Sequence, residues 1–146
     1  MVRQVLGIAL EEARHIIRAA EQKAQEIGQP MNIAVVDAGA NLVAFERMDG
    51  AWLGSIDIAL NKAFTARAFD METKDIAENS QSGKPFFGIH VSNHGRVMIF
   101  PGGVPLKIGN EVVGGVGVSG GVNKQDQAVA EAAASAFESL PRKRAA

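Results

Sequence analysis

The sequence predicts an α/β fold in which helices cover a mostly antiparallel sheet, and three observations carry that expectation. Apolar and small residues recur at alternating four- and three-residue steps from Leu6 to Ile27, which is one face of a long helix. Two apolar segments flank Asp37-Ala38-Gly39-Ala40-Asn41, a tight reversal between paired strands. A glycine-rich run, Gly102-Gly103-Val104-Pro105-Leu106 followed by Val113-Gly114-Gly115-Val116-Gly117-Val118-Ser119-Gly120-Gly121, reads as a second hairpin. Its last strand is almost bare of side chains. Something must therefore approach that backbone closely: another element, a partner subunit or a ligand.

The first helix carries Leu6, Leu10, Ala13, Ile17, Ala20, Ala24 and Ile27 on its apolar face, and Gly28 with Pro30 stops it. Residues 31–36 and 41–47 form the first hairpin. Residues 52–69 form a helix with Leu53, Ile56, Leu60, Ala63 and Phe64 along its stripe. Thr73 is placed to cap a short helix over 74–80, with Asp75 in the first turn. Residues 82–96 carry little periodicity and read mainly as a long loop, a feature often tied to function. A short strand is expected at 97–100, a strand near 104–108, a turn at Gly109-Asn110 and a strand over 111–118. Asn123, followed three residues later by Asp126, opens a last helix over 124–139 with Val129, Ala132, Ala133, Ala136, Phe137 and Leu140 on or near its buried face.

Composition narrows the function classes. A chain of 146 residues is expected to form a single domain, 1–146, with a sizeable core. Charged residues at 21% and hydrophobic residues at 47% describe a soluble globular protein. A net charge of -1 gives no long-range attraction to nucleic acid or acidic membranes. The lack of tyrosine and the single tryptophan offer no stacking surface for nucleic acid. No apolar run reaches the roughly 18 residues of a membrane span, and no signal peptide is visible. The absence of cysteine removes disulfides, thiolate nucleophiles and cysteine ligands, and fits a cytoplasmic protein. The basic cluster Arg142-Lys143-Arg144 reads as a solvated, frayed tail.

The segments Val36-Asp37-Ala38-Gly39-Ala40-Asn41-Leu42-Val43-Ala44-Phe45-Glu46-Arg47-Met48-Asp49-Gly50-Ala51, Lys62-Ala63-Phe64-Thr65-Ala66, Gly102 to Leu106 and Gly114 to Gly121, with Gln125-Asp126 after them, cover nearly the whole chain. In that order they resemble the GlcG/HbpS-like haem-binding family, which also forms the C-terminal domain of PduO-type corrinoid adenosyltransferases. The resemblance implies a profilin-like three-layer α/β/α sandwich around a five-stranded, mostly antiparallel sheet, and a dimer or larger homo-oligomer. Some relatives are haem binders, an exported branch is linked to redox sensing, and others are encoded beside glycolate or diol-utilisation genes. This chain resembles a stand-alone cytosolic branch of the kind found near diol or glycerol operons.

The residues that could carry chemistry are few. His15 lies opposite the first helix's apolar stripe, either solvated or used as a ligand or subunit contact. The resemblance implies a ligating histidine from this helical region, and a neutral imidazole suits haem iron. His90 and His94 are four apart beside Phe86 and Phe87. Either they line a pocket or they belong to an ordinary loop; a zinc pair lacks a third ligand. Arg47, Asp49 and Lys62 match positions of the family pattern. They either anchor the hairpin end to the second helix or hold an anion. Asp37 shapes its turn. Gly102 and Gly103 could let the preceding loop fold over a pocket, and the backbone around Gly120 could bind an anion at a helix start. Close packing explains the same glycines without any ligand. The spacing fits neither a Walker loop nor a dinucleotide fingerprint, and Ser119 lacks a nucleophile elbow.

The expected ligand-binding set is therefore His15, Arg47, Lys62, Phe86, Phe87, His90, His94, Gly102, Gly103 and Gly120. No metal site is expected beyond haem-iron ligation by His15, His90 or His94. The leading expectation is a homo-oligomeric protein that binds haem or a related tetrapyrrole, accessory to diol, glycerol or glycolate metabolism. The alternatives are an accessory enzyme acting on a small oxygenated metabolite, and a structural or partner-binding subunit with no catalytic site. Neither nucleic acid nor membrane is an expected partner.

Overall fold

A computed structural model describes residues 1–142. In chain order the elements are α1 (Leu10–Ile27), β1 (Asn32–Asp37), β2 (Leu42–Arg47), α2 (Gly54–Phe69), α3 (Thr73–Asn79), β3 (Gly103–Ile108), β4 (Glu111–Ser119) and α4 (Asn123–Glu138). Two single 3-10 turns, Ile89–Val91 and Asn93–Gly95, interrupt the long loop. The sheet order is β2-β1-β4-β3, and every pairing is antiparallel.

Strand alternation sends side chains to two faces. Ile33 and Val35 of β1, with Val116 and Val118 of β4, join α1 and α4 in the larger core. Ala34 and Val36 point the other way, onto Ala59 and Ala63 of α2. Helices thus cover both faces. The bare strand is explained on the α2 side. A Cβ at Gly117 would run into the backbone of Ala59 and Ala63, and one at Gly115 would lie 2.7 Å from the Ala63 carbonyl oxygen. The close neighbour of the glycines is the second helix, which rests directly on the strand.

Several element expectations need correction. The sheet has four strands among the described residues, not five. Residues 97–100 form no strand; their backbone is tied to α2, where Thr65 Oγ1 accepts the Met98 N–H (3.0 Å) while donating its own proton to the Asn61 carbonyl (2.6 Å). The first helix starts at Leu10, not Leu6. Ile8 instead donates its N–H to the Val113 carbonyl at 3.2 Å, laying the N-terminal segment beside β4. The buried face of α2 carries Ser55, Ala59, Lys62, Ala63, Thr65 and Ala66, while Leu53 is exposed. Small residues win that face because a glycine strand admits only small neighbours.

Capping chemistry also differs. Thr73 does not cap α3; its Oγ1 accepts the Gly103 N–H at 2.8 Å. Asn123 lies inside α4 rather than before it. The two side chains that reach back to the helix start are Gln125, accepting the Val122 N–H (3.0 Å), and Asp126, accepting the Gly121 N–H (2.8 Å). The left-handed Gly28 (φ 79°) ends α1, donating to the Ala24 carbonyl. Asp37 Oδ1 accepts the N–H groups of Gly39 and Asn41, as a turn-shaping aspartate does.

Candidate functional site

On α1, Glu12, His15 and Arg18 follow one another at steps of three, with Glu11 four residues before His15, and they share a face. The end of α4 and the segment after it close that face. Together with Leu140, Pro141 and Arg142 these residues line a cleft of about 200 Å³. Arg142 is fixed: its guanidinium lies 4.4 Å from the centre of the Phe137 ring and donates to the Phe137 carbonyl at 2.7 Å. This corrects the frayed-tail expectation for Arg142, because stacking and a backbone bond hold it. Lys143 and Arg144 lie outside the described residues.

The cleft holds an unbalanced charge pattern. His15 is half-buried in it. The Oε2 atom of Glu12 is buried with no hydrogen-bond partner among the described residues. An unsatisfied buried acceptor costs about 1–3 kcal/mol. The ion pairs of the described residues are Lys23–Glu26, Lys62–Asp126, Arg67–Asp70, and Lys74 with Glu72 and Glu131. None of them involves Glu12 or Arg18. The cleft therefore presents an imidazole, an acceptor lacking a donor, and guanidinium donors.

Lys62 sits in a different place. It is 1% exposed, and its Nζ donates to the Asp126 carboxylate and to the Val118 carbonyl, both at 2.9 Å. Burial pushes the Lys62 ammonium below its usual range, and attraction to Asp126 offsets part of that. Burial likewise pushes the Asp126 carboxyl up, against the pull of Lys62 and the backbone N–H groups of Gly121 and Gly120. For both groups desolvation is the larger cause. The pair ties α2 to the end of β4 and the start of α4.

The glycines expected beside a ligand enclose this pair. A Cβ on Gly102, whose φ is 118°, would lie 2.6 Å from the Val118 carbonyl oxygen and 2.9 Å from Lys62 Nζ. One on Gly103 would meet the Lys62 carbonyl oxygen at 2.6 Å, and one on Gly120 the Pro30 carbonyl oxygen at 2.5 Å. At all three positions the neighbouring group is the protein itself.

Phe86, Phe87, His90 and His94 share one projecting arm and are all exposed, Phe87 at 66%. The arm is anchored at its ends, by Phe86 N–H to the Asn79 carbonyl and by Arg96 over the Phe64 ring at 3.6 Å. Arg47 stands exposed at the end of β2, beside Glu21, Gln25, Glu46, Met48 and Asp49. Burial and the adjacent Glu21 raise the Glu46 carboxyl above its usual range. No ion pair joins Arg47 to Asp49 or Asp57 among the described residues.

The expected site residues thus fall into separate places. His15 lies in the α1–α4 cleft, Lys62 and the glycines in a buried knot by α2, the aromatics and two histidines on the arm, and Arg47 at the sheet edge. Sequence reasoning missed Glu12, Arg18 and Arg142 as neighbours of His15. The i, i+3, i+6 spacing on α1 could have revealed the first two; the third depends on how α4 ends.

Fold and cleft together define an α/β domain that presents a helix-borne histidine, a buried carboxylate oxygen and two arginines at one polar cleft. The chain belongs to the HbpS-like family: residues 8–135 match the family described as haem degrading protein HbpS-like. A 15.0 kDa protein from the dhaT-dhaS intergenic region of Citrobacter freundii is 41% identical over 94% of this chain and 96% of its own length. The crystal structure of Klebsiella pneumoniae protein ORFY superposes with a TM-score of 0.93 at 39% identity, covering 96% of this chain and 97% of that one. A complex of PduOC with heme superposes with a TM-score of 0.86 at 31% identity, covering 90% and 95%. GlcG and the corrinoid adenosyltransferase PduO are further relatives, and the chain spans 39% of the length of PduO. No helix among the described residues is long and apolar enough to cross a membrane.

Proposed function

We propose that this chain, as a single HbpS-like domain in the cytoplasm, is a homo-oligomeric binder of haem or a related tetrapyrrole, seated at the His15 cleft. The observation that carries the reading is the half-buried His15 beside guanidinium groups in one cleft. The donor set fits haem: an imidazole is an axial ligand for the iron, and Arg18 and Arg142 suit the two carboxylate arms of the macrocycle. The orphaned Glu12 oxygen adds an acceptor for a ligand-side or ring N–H. Bound haem supplies an iron centre whose properties these groups tune. The similarity to PduOC, which was solved with heme, supports the same ligand class. An accessory role in diol, glycerol or glycolate metabolism rests on the family resemblance.

At about 200 Å³ the cleft is smaller than the roughly 300–1,000 Å³ of an enclosing small-molecule site. A tetrapyrrole there extends beyond it, and a second copy of the chain is the proposed cover. Self-association is also supported by the apolar arm with Phe86, Phe87 and Val91 exposed. Light scattering checks this part. The wild type is expected above the mass of one chain, and a Phe86→Ser, Phe87→Ser double variant is expected to shift toward it. Because neither ring is buried within the chain, its folding stability is expected to change by no more than about 0.5 kcal/mol per site.

Haemin titration followed by absorption tests the ligand. A sharp Soret band saturating at fixed stoichiometry is expected, lost in His15→Ala and kept in His90→Ala and His94→Ala. A broad, non-saturating response, identical in all three variants, overturns the haem reading.

A further inference from the structure

We infer that Glu12 is the positioning residue for the His15 imidazole, accepting the ring N–H that remains when the other ring nitrogen binds iron. This rests on the proposal that His15 is the ligand. The placement follows from helix geometry. Side chains on a helix lean toward its N-terminus, so the imidazole of residue 15 covers the turn that holds Glu11 and Glu12. Of these two carboxylates, Glu11 is exposed, whereas Glu12 keeps a buried Oε2 atom that receives no hydrogen bond among the described residues. Both residues line the same cleft as His15.

A neutral imidazole carries one N–H and has one free lone pair. Before a ligand arrives, its proton can sit on either nitrogen. Binding iron through one nitrogen forces the proton onto the other, and that N–H then needs an acceptor. An acceptor already buried nearby and lacking a donor meets the need. A carboxylate in that position holds the ring's orientation, selects the tautomer and makes the ligand more electron-rich. Arg18 and Arg142 cannot take this part, because a guanidinium only donates. The assignment also gives the unsatisfied oxygen a purpose: its partner forms in the bound state.

The test compares wild type, Glu12→Leu, Glu12→Gln and Glu11→Gln. Haemin affinity is expected to fall roughly 10–100-fold in Glu12→Leu. It is expected to recover most of the way in Glu12→Gln, which keeps an acceptor. The reduction potential of the bound iron is expected to move positive in Glu12→Gln, since the negative charge is gone, and to stay put in Glu11→Gln. Thermal stability without haemin is expected to hold or rise in Glu12→Leu, because a buried unpaired acceptor is removed. Unchanged affinity and potential in both Glu12 variants overturn the inference, as does an equal effect from Glu11→Gln. A second probe separates this from the haem reading. Pentaammineruthenium attached to His15, in a His90→Gln, His94→Gln background, reports the same neighbour through its own midpoint potential. A positive shift on Glu12→Gln supports the inference even if haemin fails to bind, and no shift overturns it.

Discussion

Gly117→Ala is expected to cost about 3 kcal/mol or more and to lower the thermal midpoint by roughly 6–12 °C for a chain of this size. One added methyl group has that effect because of what it meets. The Gly117 Cβ would collide with the Ala59 carbonyl oxygen and the Ala63 backbone nitrogen of α2. Backbone atoms cannot rotate aside as a side chain can. The helix must lift from the sheet, which opens the contact among Ala34, Val36, Ala59 and Ala63. Gly54→Ala is the matched control: it lies in the first turn of α2, and nothing stands within 4 Å of its added Cβ. Its stability is expected to stay equal or rise by a few tenths of a kcal/mol, as alanine does over glycine in a helix. Urea unfolding of the two variants beside wild type checks both statements. Equal midpoints for all three would mean that α2 does not rest on β4 as described.

The second large effect is expected at the buried ion pair. Lys62→Met leaves the Asp126 carboxylate buried without its cation, and breaking a buried pair on one side costs about 3–5 kcal/mol. Lys62→Met combined with Asp126→Leu is expected to cost clearly less than the two single losses added together. The pair's Coulomb gain is largely spent on desolvation, which drives Lys62 down and Asp126 up. A double-mutant cycle measures the coupling directly, and additive losses would show that the two groups act independently.

The same pair has a pH signature. The folded-state value of Lys62 lies below its ordinary 10.5, so above that depressed value the unfolded chain holds more protons than the folded one. The penalty for burying the ammonium is complete below the folded value. It fades as pH rises toward 10.5, so this contribution to stability rises with pH across that window. Asp126 works in the other sense. Its folded value lies above 3.8, and between 3.8 and that raised value stability falls as pH rises. In the pH dependence of the unfolding midpoint, the difference between wild type and Lys62→Met is expected to carry the alkaline rise. A flat difference across that range would contradict a buried, desolvated Lys62.

Residue pattern and fold agree for most local features, the expected caps at Thr73 and Asn123 and the helix start at Leu6 being the exceptions. The stop at Gly28, the Asp37 turn, the hairpin strands and the body of the last helix are set by neighbouring residues, through φ preferences, the turn-shaping aspartate and periodicity. The requirement that something lie close to the glycine strand was also legible, since a bare strand leaves a groove to be filled. Its occupant was not. The choice of α2 depends on the backbone at Ala59, Ala63 and Arg67 meeting Gly115 and Gly117 from far along the chain.

The candidate site divides in the same way. His15 was visible because a histidine off the apolar stripe of an amphipathic helix is conspicuous. Lys62 was visible only as a charged residue matching a family position. Its partner Asp126 lies 64 residues away, and only the packing of α2 against the start of α4 brings the two together. Residues 97–100 have strand-like composition, yet Thr65 ties their backbone to α2.

By itself, the sequence determined the class of fold, most element positions and the family, and narrowed the candidate ligating histidines to His15, His90 and His94, because periodicity, turn chemistry and motif order are properties of nearby residues. Only the tertiary structure decided which helix fills the glycine groove, that Lys62 is spent on a buried pair, and that Arg142 stands beside His15. Those outcomes depend on distance and burial between segments remote in sequence, and close packing and desolvation act only after the chain has brought them together.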